Sequence, residues 1–227
     1  LKLRCNTWNG LVFVTENQNL PPVAESLGEM ASDFSTIDIN QLRVVNHSRT
    51  RLKCNWKAAV DAFQEAYHVK TVHPQTVSQM LNVESTVMTL FDNGHSRQVI
   101  PRNKGDNELK KNINLVDHEQ APDITGLHPW FANHSIVYHF FPNLVVPMDK
   151  FGFPLMLFWP CGKDECEMEM YFMGPDWGEG ERPAIWDTFM QMVDKIMDED
   201  VCNLASIQDS LNSCLLYTSP SPRDLDL

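Results

Sequence analysis

No run in this 227-residue chain approaches the roughly 18 consecutive apolar positions that a membrane-spanning helix requires, so no membrane partner is expected. Positive charge is also scarce. Against 30 Asp and Glu stand 18 Lys and Arg, giving a net charge of −12 and a pI near 5.0, and nucleic acid, whose phosphates demand a basic surface, is not an expected partner. The six cysteines follow no pattern, and setting aside Cys214 in the anomalous terminal run leaves an odd five. Such a set fits a reducing cytoplasm better than a disulfide framework, so a cytoplasmic location is expected. Neither an internal repeat nor a signal peptide is visible. What is present is a chain 43% hydrophobic and 10% aromatic, globular in composition and long enough to bury one sizeable core.

The densest chemistry lies in Asn55–Pro74, NWKAAVDAFQEAYHVKTVHP, where His68 and His73 stand five residues apart and Glu65 precedes the first by three. In an unbroken helix the two rings would point about 140° apart. However, Val69, Thr71 and Val72 are stiff in a helix and Pro74 disfavours α geometry at His73, so the chain should loosen after His68 and swing His73 back. Trp56, Val60, Phe63 and Tyr67 form an apolar stripe, with Asp61, Glu65 and His68 on another face. Taken alone, the pair also fits ordinary histidines at a helix end, where the dipole favours them. An oxygen-activating iron would need a carboxylate as third ligand.

Such a carboxylate occurs in the long helix expected over Pro183–Leu211. Trp186, Met190, Val193, Met197, Leu204, Ile207 and Leu211 mark its buried stripe, and Asp200 falls within that series. A buried ionised carboxylate costs several kcal/mol unless a cation or hydrogen bonds compensate it, so Asp200 reads as a metal ligand or as the partner of a buried Arg. Its neighbours Asp194, Asp198 and Glu199 lie off the stripe and read as solvated.

Together Asn55, Trp56, Lys57, Phe63, Glu65, Tyr67, His68, His73 and Pro74 resemble the iron-site segment of Rieske non-heme iron oxygenases, in particular the large (alpha) subunit of aromatic ring-hydroxylating dioxygenases. Asp200 with Gln208 resembles the family's second motif, and Thr7–Val14 is similar to the strand by which such proteins leave their iron–sulfur domain. Similarity runs from about residue 5 to about residue 213. Two details depart from the pattern: Ala205 stands where a glutamate is frequent, and Asp209 and Ser210 where glycine or arginine is common.

The resemblance implies mononuclear Fe(II) held by His68, His73 and Asp200, activating O2 beside a pocket for a small, aromatic substrate. It further implies that Glu65, where relatives mostly carry aspartate, bridges to the electron donor, although a solvated or capping glutamate is an equal reading of the residue itself. Asp61 and Gln208 are expected to support the ligands. Electrons would come from a [2Fe-2S] Rieske cluster fed by ferredoxin or a reductase, so that NADH acts only indirectly. The full-length subunit would assemble as a homotrimer or an α3β3 complex. Ring dihydroxylation is the first expectation, with monooxygenation and oxidative demethylation as alternatives on the same site. Two readings from other classes are a non-redox module binding a hydrophobic ligand and a zinc hydrolase, the latter needing a general base near its water.

A Rieske cluster takes two cysteines and two histidines, supplied in relatives by C-x-H and C-x-x-H, and neither pattern occurs here. Residues 1–16 are therefore expected to be the strand leaving an absent Rieske domain, and residues 17–213 the catalytic iron domain, inactive alone. The run Cys214–Asp224, CLLYTSPSPRD, matches a reading frame of a sequencing-library adapter, so residues 214–227 are expected to be non-native.

The expected fold is α+β, a helix-grip (START/SRPBCC-like) domain in which an antiparallel sheet wraps around the long C-terminal helix. Strand-like alternation marks Leu11–Thr15, Leu42–Cys54, Thr86–Phe91, His95–Ile100, Ser135–Phe141, Phe153–Trp159 and Glu165–Phe172. Along the last of these, Cys166, Met168, Met170 and Phe172 alternate with Glu165, Glu167, Glu169 and Tyr171, which predicts one buried and one wet face. Helices are expected at Val23–Phe34, Trp56–His68, Thr76–Asn82 and Pro183–Leu211. Arg102–Asp123 reads as a surface loop and candidate lid. The other histidines read as surface or hydrogen-bonded residues, and Cys161 and Cys166 as plain thiols.

Overall fold

The computed structural model describes residues 2–103 and 123–213. Most of the candidate lid and the whole 214–227 run lie outside the described residues. The chain opens with a hairpin of β1 (Arg4–Trp8) and β2 (Leu11–Thr15) rather than a single strand. Asn9 and Gly10 make the turn with φ of 48° and 81°, the double positive φ that favours Asn-Gly in two-residue hairpin loops.

Seven strands form the main antiparallel sheet: β3 (Leu42–Leu52), β4 (Val87–Leu90), β5 (Ser96–Pro101), β6 (His134–Phe140), β7 (Leu144–Met148), β8 (Phe153–Pro160) and β9 (Cys166–Pro175). Their order is β3-β9-β8-β7-β6-β5-β4, so the ends stay apart and the sheet is open, not a closed barrel. β7 lies outside the expected strands. Its Leu-Val-Val run has no polar alternation, because both faces of this central strand are buried.

Alternation divides the sheet between two cores. Met156 and Phe158 of β8 join Cys166, Met168, Met170 and Phe172 of β9 on the face that receives the long helix. On the opposite face Ile136, Tyr138 and Phe140 of β6 meet Phe153 and Leu155 beneath Leu27, Met30 and Phe34, with Trp8 and Phe13 of the hairpin packed against them. The second face is thus largely covered rather than wet. Even Glu169, expected in water, is buried, and it accepts hydrogen bonds from Arg49, Tyr171 and Trp159.

The helices depart from the expected spans in three places. α1 covers only Val23–Ser26, and Gly28, at φ +56°, turns the chain into a 3-10 segment, Gly28–Phe34. α2 (Trp56–Gln64) is capped by Asn55, whose Oδ1 accepts from the Lys57 amide at 2.9 Å. It ends at Gln64, four residues before the expected stop, because the next residue, Glu65, is extended (φ −99°, ψ 158°). Thr76–Asn82 holds a single 3-10 turn, Val77–Gln79, in place of a helix. His68 and His73 flank α3, a single helical turn over Val69–Val72. α4 (Ile185–Asn212) runs 28 residues, about 42 Å at 1.5 Å per residue. Trp186, Phe189, Met190 and Val193 fasten its first half to the sheet, forming the helix-grip arrangement with the open sheet.

Candidate metal centre

The turn of α3 follows directly on the break at Glu65, which creates that break by binding forward. Its Oε2 accepts from the His68 backbone amide at 3.1 Å, and its Oε1 from His68 Nδ1. Tyr67, expected on the apolar stripe of α2, falls in the break and is 81% exposed. The reversal aims both imidazoles at α4. His68 Nε2 lies 3.5 Å and His73 Nε2 2.8 Å from the same oxygen, Oδ1 of Asp200. The ring centroids are 5.3 Å apart, and one ligand atom from each residue lies within 4.8 Å of the other two.

The hydrogen atoms decide what this triangle can hold. His73 Nδ1 donates to Glu199 Oε2 at 2.7 Å, just as His68 Nδ1 donates to Glu65. With those protons on Nδ1, each neutral ring presents a bare Nε2 lone pair to a carboxylate oxygen that is also an acceptor. Three acceptors cannot converge without a cation or an added proton between them. Ligands about 2.1 Å from a shared ion stand about 3.0 to 3.4 Å apart, close to the 3.5 and 2.8 Å that separate the two rings from Asp200. Two imidazoles and one carboxylate match the donor set of non-heme ferrous sites, and an outer carboxylate on each ring nitrogen is the support metal-bound histidines commonly have. The residues therefore fit a metal ion. Without one, burial disfavours a charged His73, but hydrogen bonds and charge from Asp200 and then Glu199 outweigh it and raise the ring's pKa above the ordinary value.

Glu199 is the site residue that its place off the apolar stripe had assigned to solvent. It faces inward because His73 and Thr76 both donate to its Oε2, at 2.7 and 2.6 Å. The supporting roles expected of Asp61 and Gln208 do not follow from their positions. Asp61 is exposed, and its charge acts on His139. Gln208 stands eight residues, about 12 Å of helix, beyond Asp200. It is buried elsewhere, accepting from the Asn55 amide at 2.7 Å and donating to Asp164 at 2.8 Å. It ties α4 to the start of α2 and makes no hydrogen bond to the triad.

Beside the triad lies a cavity of about 230 Å³. Phe63, Phe172, Phe189, Met192 and Ile196 supply much of its apolar wall. Of the other histidines, His95 and His139 are buried and hydrogen-bonded, to the Phe141 amide and the Pro142 carbonyl, and burial lowers both pKa values. Burial likewise pushes the Cys166 thiol up to about 12, which suits an inert core residue.

The chain is 24% identical over 204 residues to the alpha subunit of toluate 1,2-dioxygenase from Pseudomonas putida, with 79% of this chain and 43% of that protein covered. It thus spans less than half the length of this relative. Among solved structures, a quaternary ammonium Rieske monooxygenase superposes with a TM-score of 0.70 at 15% identity, covering 92% of this chain and 51% of the other. Naphthalene 1,2-dioxygenase from Rhodococcus sp. gives 0.59 at 19% identity, with 90% and 54% covered. Residues 39–223 match the family described as ring hydroxylating alpha subunit (catalytic domain), and the chain belongs to that family.

Proposed function

We propose that this chain is the oxygen-activating domain of a Rieske-type oxygenase that binds Fe(II) through His68, His73 and Asp200 and hydroxylates a small aromatic substrate, with dihydroxylation of the ring as the reaction. The observation that carries this reading is the convergence of two imidazole lone pairs on one carboxylate oxygen, with the opposite ring nitrogens already committed to Glu65 and Glu199. Dihydroxylation is preferred because the relative aligned over most of this chain is a dioxygenase of an aromatic acid.

Ferrous iron at such a site supplies the redox chemistry that activates dioxygen, with electrons from a [2Fe-2S] Rieske cluster whose ligand pattern this sequence does not contain. The protein's own part is positional. Glu65 and Glu199 keep both Nδ1 protons in place and so hold each Nε2 as a neutral donor. Asp200 adds one negative charge, and the apolar walls exclude water from the reacting centre. Glu65, on the half-exposed break beside Tyr67, is the group through which an electron donor would reach His68.

Anaerobic loading should give one ferrous ion per chain, lost in His73→Ala and Asp200→Ala. Reconstitution with a Rieske donor, a substrate and 18O2 should place both labelled atoms in the product. One labelled atom would mark a monooxygenase, and absence of ferrous binding would leave the hydrophobic-ligand module as the reading.

A further inference from the structure

Three charged groups outside the triad line the same cavity: Glu65, already committed to His68, and Arg102 and Asp149, which form an ion pair with each other. We infer that Arg102 is the anchor for a carboxylate on the substrate and that Asp149 holds its place until the substrate arrives. This deepens the oxygenase reading, on which it rests, by naming the substrate class as aromatic carboxylates.

The pattern of the strand puts Arg102 there. Ser96, Gln98 and Ile100 of β5 alternate onto the buried inner face, and Arg102 continues the same two-residue period just past the strand end. Gln98 pairs across the sheet with Val137, and Val137 with Pro147, so one row of the sheet forms a cavity wall opposite the helices that carry the triad. On that wall the polar groups are few. Gln98 is one of them, 6% exposed. Of the five N–H donors of the Arg102 guanidinium, one meets Asp149 and no other protein acceptor is engaged among the described residues. A planar fork with donors to spare in a largely apolar chamber is shaped for a carboxylate.

The two partners are unequally held. The Arg102 side chain is 14% exposed and that of Asp149 31%. Asp149 can turn to water at small cost, whereas Arg102 would lose its one counter-ion among the described residues in a desolvated place. An entering anion therefore replaces Asp149 on Arg102 more readily than an entering cation replaces Arg102 on Asp149. Size agrees. The cavity of about 230 Å³ exceeds the roughly 150 Å³ known to hold benzene, leaving room for one ring with a small substituent.

The test is calorimetric titration of the full chain, iron-free and iron-loaded, with benzoate, the isosteric neutral benzamide and the cation benzyltrimethylammonium. Benzoate should bind most tightly. Arg102→Met should weaken benzoate about 10- to 100-fold while changing benzamide little, since charge-assisted hydrogen bonds are the ones removed. Asp149→Asn, which removes the competing charge and keeps the fold's other contacts, should strengthen benzoate. Equal affinity for benzoate and benzamide, loss of benzoate binding in Asp149→Asn, or preference for the cation with its loss in that variant would each overturn the assignment. Ferrous stoichiometry measured on the same samples separates the two readings: a wild-type chain that binds benzoate through Arg102 but takes no iron refutes the oxygenase and leaves the anion site standing.

Discussion

Removal of Glu199 tests whether the carboxylate behind His73 belongs to the proposed metal centre. In Glu199→Ala the His73 ring, 2% exposed, keeps its Nδ1 proton but has nothing to give it to, and Thr76 loses the same acceptor. A hydrogen bond to a charged group contributes about 1.5 to 3 kcal/mol. Loss of an outer carboxylate on a metal-bound histidine costs about 10- to 100-fold in metal affinity, which at 1.4 kcal/mol per decade is about 1.4 to 2.8 kcal/mol. The two routes agree, so ferrous affinity should fall by between one and two orders of magnitude. Anaerobic competition against a chelator of known affinity measures it, with circular dichroism to verify folding. Glu199→Gln, which keeps an acceptor and loses the charge, should fall between wild type and alanine. Asp194→Ala and Asp198→Ala, on the exposed face of the same helix, should leave the affinity unchanged. A folded Glu199→Ala protein within twofold of wild type, or an equal loss in Asp198→Ala, would refute the assignment.

Gln208→Ala should lower stability by about 1 to 2 kcal/mol by leaving the half-buried Asn55 amide without its Gln208 acceptor, a thermal shift of about 2 to 8 °C for a chain of this size, with ferrous affinity unaltered. Gly174→Ala should destabilise by about 1 to 3 kcal/mol in urea unfolding, because a β-carbon there would stand 2.8 Å from Val45 and 2.9 Å from the Trp186 ring, both in the packed core. Acid should act through Glu169, whose folded pKa is held down to about 2, by the Tyr171 hydroxyl above all and then by Arg49, His47 and Trp159, against the opposing effect of burial. Because the folded value is depressed, this stabilisation is complete above the unfolded pKa of about 4.5 and is lost as pH falls through that value towards 2. Urea midpoints should accordingly drop between pH 5 and pH 2 more steeply in wild type than in Glu169→Gln, whose midpoint should already be lower at pH 7.

How far the site could be read in the sequence depends on whether each residue breaks a local pattern. Asp200 is legible because a carboxylate interrupts an apolar stripe, and His68 and His73 because their spacing coincides with β-branched residues and a proline. The place of the break is not legible. Glu65 ends α2 by bonding forward to His68, an alternative to helix that depends on a side-chain rotamer rather than on propensity. Once α2 has stopped, its period no longer governs Tyr67, and the stripe assigned to that residue dissolves into solvent. β7 escapes for the opposite reason: a strand buried on both faces has no alternation to display. Glu199 escapes because an acid among acids on a helix breaks no pattern at all. It and Asp200 diverge by about 100° around α4, yet both reach His73, whose two ring nitrogens face different ways and engage one carboxylate each. A residue of that kind becomes visible only when a partner 126 positions away in sequence is brought against it. The candidate metal triangle is therefore partly written in local chemistry, while the carboxylate that fixes its proton is written only in the tertiary fold.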